Sequence, residues 1–404
     1  MNRLKGFTFG ALSVVFLMSI EVYAVESDLL ASLRGEITAA AELELESSGV
    51  PSLQIAIGLE GEIVYERAFG MSDLENSVQA SSDTKYRTAS IAKWFTATAA
   101  MKLSENGLLD LDKPVRTYCK DFPEKKWPIS SRQLLTHTAG IRDYIDYEEL
   151  ILSTKDKLEV TRLRKKQLLD TVSLYTRYTD IIEPLTSFRD DPLIFKPGTD
   201  WAYTSFGYRL LACVMQGATG EDYRVVMNNL VFQPAMMTNT LADDAWSIIP
   251  HRAAGYRMQR GKPIRRADMR DVSENLPAGG YLSTASDLIK FAQWFNRDQL
   301  SDNNKRLMTS TVTVDQVDSE NNHSWRDAIP NQARYGYGLM LWSKYKSGMI
   351  GHTGRQAGAS SILILLPNEG VSIAVMTNAK GWNGYLNFVM KLYSVLQRLH
   401  PNRF

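Results

Sequence analysis

Strand-like patterning is confined to two stretches far apart in the chain, and that separation constrains the fold more than any other feature. Near the start, Leu53 to Gly58 and Ile63 to Phe69 are apolar runs joined by Leu59-Glu60-Gly61-Glu62, which reads as a hairpin. Near the end, Arg334 to Trp342, Met349 to Gly351, Ser360 to Leu366 and Ser372 to Met376 have the same character, with a turn at Pro367-Asn368-Glu369-Gly370. From Leu108 to about Arg270 the apolar periodicity is mainly helical, broken at Pro114, Pro123, Pro128, Gly140, Pro184, Pro197-Gly198 and Pro234. An amphipathic helix is expected from Leu29 to Glu46, stopping at Gly49, and a closing helix from Leu386 to Leu399. The expectation is therefore an α+β fold: an antiparallel sheet built from both chain ends and flanked by helices, with a mostly helical domain inserted. The boundaries read as 25–107 and 271–404 for the sheet domain and 108–270 for the helical one.

Within the early part, Thr88 to Leu103 (TASIAKWFTATAAMKL) places Ser90 and Lys93 three positions apart in a strong helical pattern that stops at Asn106-Gly107. On a helix those side chains share a face, so the amine reaches the hydroxyl. A neutral amine, its pKa lowered by burial, can take the serine proton as attack begins. The spacing alone is cheap, since about one or two matches arise by chance in a chain this long. Ser343 and Lys346 form such a match, but they follow a strand-like run and precede a glycine turn, so that copy reads as accidental.

The formal charge of +1 over 404 residues argues against a protein that works by general attraction to nucleic-acid phosphates. Five scattered histidines, with no H-E-x-x-H and no C-x-x-C, argue against a metal site, and no cofactor motif is present. Arg3 and Lys5 precede an apolar run from Phe7 to Ile20 and a small-x-small pattern ending at Ala24, so 1–24 reads as a secretory signal. That run is shorter than the about 20 residues a spanning helix needs. A periplasmic or secreted chain without a stable membrane span follows. Export allows Cys119 and Cys213, the only cysteines, to pair. The apolar run LLACVM around Cys213 favours a buried free thiol instead.

Three further stretches stand out. His137, between two threonines in LLTHTAG, reads as a histidine that ties a turn by hydrogen bonds. The mixed charges from Ser153 to Asp191 read as a solvated helical face. Around Tyr203 and Ser205, a Pro-Gly turn feeds an aromatic-rich loop, and the Tyr203 phenol can carry a proton between nucleophile and leaving group beside the Ser205 hydroxyl. Gly351-His352-Thr353-Gly354-Arg355 is odd for a plain hairpin: its glycines admit close approach, and an edge strand there can offer N–H groups to a substrate carbonyl.

SIAK at 90–93, YTS at 203–205 and HTG at 352–354, in that order, resemble the penicillin-recognising serine hydrolases. The flanking phrases LLTHTAGI, KPGTDWAYTSFGYRLL, PAGGYLSTASDL and HTGRQAGASSILILLP are most similar to the class C beta-lactamase branch with its esterase and peptidase relatives, over roughly Ala39 to Leu396. The resemblance implies Ser90 as the acyl-accepting nucleophile, Lys93 as its amine partner and Tyr203 as second proton-transfer group. It also implies that His352, Thr353 and Gly354 line the substrate edge, and that the N–H groups of Ser90 and Arg355 form an oxyanion hole worth about 3 kcal/mol per donor.

Two departures bear on the substrate. Ser205 stands where the second motif usually ends in Asn, offering a hydroxyl in place of an amide. His352 stands where the third usually begins with Lys, which removes a fixed positive charge, with Arg355 as the nearby replacement. Both favour an esterase, amidase or peptidase acting on a small molecule or peptide. The alternatives are a beta-lactamase and a catalytically silent peptide- or cell-wall-binding or self-assembling protein. The number of subunits is not legible in the chain.

Overall fold

The computed structural model describes residues 31–297, 299–312 and 334–399, so the expected signal at 1–24 lies outside the described residues. The early chain forms β1 (Ser52–Leu59), β2 (Glu62–Asp73), β3 (Val78–Gln79) and β4 (Tyr86–Arg87). The middle supplies β5 (Leu241–Ala242), β6 (Tyr256–Gln259), β7 (Lys262–Arg266) and β8 (Tyr281–Ser283). From the late chain come β9 (Arg334–Tyr335), β10 (Met340–Leu341), β11 (Ile350–Gln356), β12 (Ala359–Leu366), β13 (Val371–Thr377) and β14 (Ala379–Lys380).

The largest sheet runs β3-β2-β1-β13-β12-β11-β10-β9, antiparallel throughout. The two chain ends meet where β1 pairs with β13, Ile55 opposite Val375. Residues of β1 alternate between two cores, as a period of two demands. Leu53, Ile55 and Ile57 pack with Leu33 and Ile37 of the helix 31–48 and with Val389 and Leu392 of the closing helix Tyr385–Leu399. On the other face, Ala56 joins Leu288 and Phe291 of the helix Ala285–Asn296. Both faces are thus covered, which is why β1, β12 and β13 read as near-continuous apolar runs.

The helix Ala92–Glu105 is buried on almost every side, as its Ala, Phe and Trp content requires. Trp94 meets Phe291 and Phe295 edge-on, each at 5.1 Å. The helix stops at Asn106, followed by Gly107 at φ +72°, where the sequence placed its end. In the middle of the chain, Lys157–Ser173 is helical with only Leu163 and Ser173 buried, so the solvated-face reading holds. It is tied down through Arg142, which reaches both Asp170 and Asp191. Residues 241–266 of the same stretch supply β5, β6 and β7. β6 lies between β7 and the late strand β14 in a small three-stranded sheet.

Cys119 and Cys213 form a disulfide, with Cα atoms 5.4 Å apart, which corrects the free-thiol reading. The apolar surroundings seen in the sequence are real, since both residues are buried, but burial does not separate a thiol from a half-cystine. The link spans 94 residues, and in the chain-entropy account closing a loop of that size stabilises by about 4.7 kcal/mol. Cys213→Ala is expected to lose that amount in denaturant unfolding without reductant; a loss under about 1 kcal/mol would show the link to be idle. Among the described residues, no helix is long and apolar enough to cross a membrane.

Candidate active site

A 3₁₀ turn at Ala89–Ile91 leads into the helix Ala92–Glu105 and carries Ser90. Ala89 sits at φ +46°, a left-handed conformation costly for a residue with a Cβ, and such strain is held only where surroundings over-determine it. Here the surroundings are β11 and β12. Ser361 Oγ donates to the Thr88 carbonyl at 2.7 Å, and Gly354 lies so close that a Cβ there would stand 2.2 Å from the Thr88 oxygen and 3.0 Å from Ala89 Cβ. The sheet therefore presses directly on the turn that carries Ser90, and the glycine of the third motif is the residue that permits it.

Lys93 is completely buried one turn later. Its Nζ lies 3.3 Å from Ser90 Oγ, 3.2 Å from Ser205 Oγ and 3.2 Å from the Ala278 carbonyl oxygen. Desolvation is the main cause that brings its pKa from the ordinary lysine value down to about 7; the Asp143 carboxylate opposes the fall and the Arg209 charge adds to it. The amine also stands over the ring of Tyr203 at 4.7 Å. Burial pushes the Tyr203 phenol above its ordinary range, while its contact with the Ser90 hydroxyl acts the other way. Near neutrality Tyr203 is thus a phenol, not a phenolate, and Lys93 is the group poised to accept a proton.

The loop that brings Tyr203 and Ser205 to Ser90 is held by the turn around His137. His137 has φ +61°, its carbonyl accepts from Ala202 N–H at 3.0 Å, and its Nδ1 accepts from Thr204 N–H at 3.2 Å. Burial keeps the ring neutral. It is a structural tie, as its place between two threonines suggested. Thr204 then caps the helix Ser205–Thr219 by accepting from Phe206 and Gly207 N–H, which puts Ser205 at the first helical position beside Lys93.

The third motif is divided in its placement. β10 pairs only with Ile350 and Gly351 of β11, so among the described residues that side of the strand has no neighbour in the sheet from His352 onward. His352 is buried, with Nε2 3.0 Å from Tyr335 OH and Nδ1 2.5 Å from the Thr353 carbonyl oxygen. Desolvation, with the nearby Lys93 charge, lowers its pKa to about 3, so it is neutral at physiological pH and carries no charge for a substrate. Thr353 turns its hydroxyl toward Met340 Sδ at 3.7 Å. Arg355 reaches the exposed side, where its guanidinium donates to Asn383 Oδ1 at 3.2 Å and Tyr385 OH at 3.3 Å.

Ser90, Ser205 and Arg355 line one cleft of about 640 Å³, whose wall also includes Gly279, Gln356 and Lys380. A cavity of equal volume lined by Phe295, Arg306 and Pro367 contains none of these groups. Sequence reasoning missed Asp143, whose Oδ1 accepts from Ser205 N–H at 3.1 Å, and Arg209, which is buried and donates to Glu274 at 3.0 Å and Tyr144 OH at 2.7 Å. It also missed the Ala278 carbonyl. The aspartate lies just beyond LLTHTAGI, but nothing in its local pattern says that it faces a lysine fifty residues upstream.

Comparison with known proteins gives the chain a family and its fold several solved neighbours. The family model described as beta-lactamase matches residues 36–389. The human mitochondrial serine beta-lactamase-like protein LACTB is 28% identical, over 86% of this chain and 72% of its own length. Among solved structures, the octameric penicillin-binding protein homologue from Pyrococcus abyssi superposes with TM-score 0.69 at 22% identity, covering 90% of this chain and 77% of that one. A D-amino acid amidase from Ochrobactrum anthropi SV3, solved with L-phenylalanine amide, covers 92% of this chain and 99% of its own at 22% identity, with TM-score 0.67. With a family match over most of its length and a serine and lysine in contact beneath a sheet edge, this chain belongs to the beta-lactamase family of serine hydrolase folds.

Proposed function

We propose that this protein is an exported serine hydrolase that forms a covalent acyl-enzyme on Ser90 and releases it to water, acting on an ester, amide or peptide bond. The observation that carries the reading is the contact of 3.3 Å between the buried Lys93 amine and the Ser90 hydroxyl, with the amine's pKa brought to about 7. As Ser90 Oγ bonds to the substrate carbonyl carbon, its proton passes to Lys93 Nζ and the carbonyl becomes an oxyanion held by the Ser90 and Arg355 N–H groups. Collapse breaks the bond to the leaving group, which takes a proton from Tyr203; Tyr203 is reprotonated from Lys93. Water then repeats the sequence on the acyl-enzyme, with Ser90 leaving and recovering its proton.

Ser205 and the Ala278 carbonyl hold the amine in place, at 3.2 Å each, so a neutral Lys93 keeps its lone pair for Ser90. The disulfide supports an oxidising compartment, in keeping with a periplasmic or secreted protein. His352 and the residues after it form the strand along which substrate lies; His352 itself acts by shaping that strand through Tyr335.

A fluorophosphonate probe is expected to label wild-type protein at Ser90, and Ser90→Ala is expected to abolish both labelling and hydrolysis of an activated ester. Labelling elsewhere with Ser90 untouched, or equal ester turnover in the variant, would overturn the reading and favour a silent binding protein. Nitrocefin tests the beta-lactamase alternative: the neutral, buried His352 speaks for turnover well below that of the ester.

A further inference from the structure

The wall of the cleft away from Ser90 is built from the small sheet, and its charges are arranged against ordinary strand pairing. β14 pairs in parallel with β6, and the register puts Lys380 directly beside Arg257. On its other side Arg257 stands opposite Arg265 of β7. Residues directly opposite in register point to the same face, so three cations stand in one row across three strands. Like charges so placed destabilise a sheet. Arg265 is neutralised by Asp268 at 2.9 Å, but Lys380 and Arg257 have no carboxylate within ion-pair distance among the described residues.

Two more cations line the same cleft. Arg355 is held by the neutral partners Asn383 and Tyr385, and Arg270 has a buried Nε with no hydrogen-bond partner among the described residues. The cleft's acids have partners of their own: Asp268 binds Arg265, Asp271 accepts from Ser273 N–H at 2.9 Å, and Glu274 accepts from Arg209 through Oε1 at 3.0 Å, with its buried Oε2 left unpartnered among the described residues. Burial is the main cause that lowers the Lys380 pKa; the charges of Arg270, Arg257 and Arg355 add to the fall and Asp268 opposes it, so the cations share a field at that amine. Four cations therefore face the cleft with Ser90; Asp268, shared with Arg265, acts on Lys380, Arg257 and Arg270 only at longer range, and none of Lys380, Arg257, Arg270 and Arg355 has a carboxylate within ion-pair distance among the described residues.

We infer that Arg257, Arg270 and Lys380, with Arg355 at the entrance, form a subsite for an anionic oxyacid group, carboxylate or phosphate, carried by the substrate at the end remote from the scissile bond. This rests on the hydrolase reading and deepens it by giving the substrate a charge. Repulsion across β14 and β6 is then offset when the anion arrives, and the anion lies away from the buried, neutral His352.

The test compares mono(4-nitrophenyl) glutarate with its methyl ester, which differs only in the charge of the far carboxyl, on the full chain and on Arg257→Gln/Lys380→Gln. Both substituted residues are exposed, and the melting temperature checks the fold. The wild type is expected to favour the carboxylate ester by at least about tenfold in kcat/KM at low salt, and the double variant to lose most of that ratio. In parallel, calorimetry on Ser90→Ala measures binding of glutarate and of inorganic phosphate, and the tighter of the two names the source of the anion. If neither ester is turned over but an anion binds and the double variant loses it, the hydrolase reading falls and the anion subsite stands. If both esters are cleaved equally by both proteins and neither anion binds, the subsite is wrong and the hydrolase reading stands.

Discussion

Lys93→Met is expected to lower kcat/KM for an activated ester about 10³-fold at pH 8 while the chain stays folded. Among the described residues, the lysine is the only base suited to neutral pH in contact with Ser90, because Tyr203 is pushed the other way and remains a phenol. Activity of the wild type should rise with pH through about 7, as Nζ loses its proton. Asp143 holds that pKa up, so Asp143→Asn should move the acid limb to lower pH; a limb that stays put, or moves up, would show that another group sets it.

The same shift has a stability signature, and its sign distinguishes it from the usual lysine gaining a partner. The folded pKa lies below the unfolded one, so between about 7 and 10.5 the unfolded chain binds more protons and stability rises with pH. Below about 7 the penalty of a buried ammonium is full. Lys93→Met removes that contribution, so the variant should gain stability relative to wild type at pH 6 and lose the advantage by pH 10. A variant that unfolds more readily at pH 6 would show that the hydrogen bonds to Ser205 and Ala278 outweigh desolvation.

Gly354→Ala is expected to cut kcat/KM at least about 10²-fold with only about 1 to 3 kcal/mol lost from stability. The added methyl would stand 2.2 Å from the Thr88 oxygen and 2.3 Å from Ser361 Oγ, so β11 and the turn that carries Ser90 must separate. The backbone opposite Ala89 then moves away from the reacting carbon, and misplacement by about 1 Å is enough for such a loss. Since Gly354 is not at a positive φ, backbone strain cannot account for the effect, and contact is the whole cause. Near-normal turnover would mean that β11 and the turn at Thr88 are not rigidly coupled.

Much of the frame was legible before any coordinates. The period-two runs at both ends, the turn at Pro367-Asn368-Glu369-Gly370 and the stop at Asn106-Gly107 all reflect interactions within a few residues, which local composition records directly. Ser90 and Lys93 belong to the same class, because three positions on a helix impose their contact. The pattern also exposed the chance copy at Ser343 and Lys346, whose lysine instead pairs with Glu369 at 2.8 Å.

Other properties arise only when distant segments meet. Cys119 and Cys213 each read as apolar positions, and only the packing of two segments brings their Cα atoms to 5.4 Å. The neutrality of His352, the low pKa of Lys93 and the presence of Asp143 beside it depend on desolvation and on charges far away in the chain. The row of Lys380, Arg257 and Arg265 is set by strand register between the middle and the end of the chain. Sequence by itself determined the long strands at both chain ends, the helices around them and the pairing of Ser90 with Lys93, since these follow from neighbours along the chain, whereas the short strands at 241–266 were not legible in it. Charge states, the disulfide and the cationic wall were decided by the tertiary structure alone, because dielectric and Coulomb effects act through space.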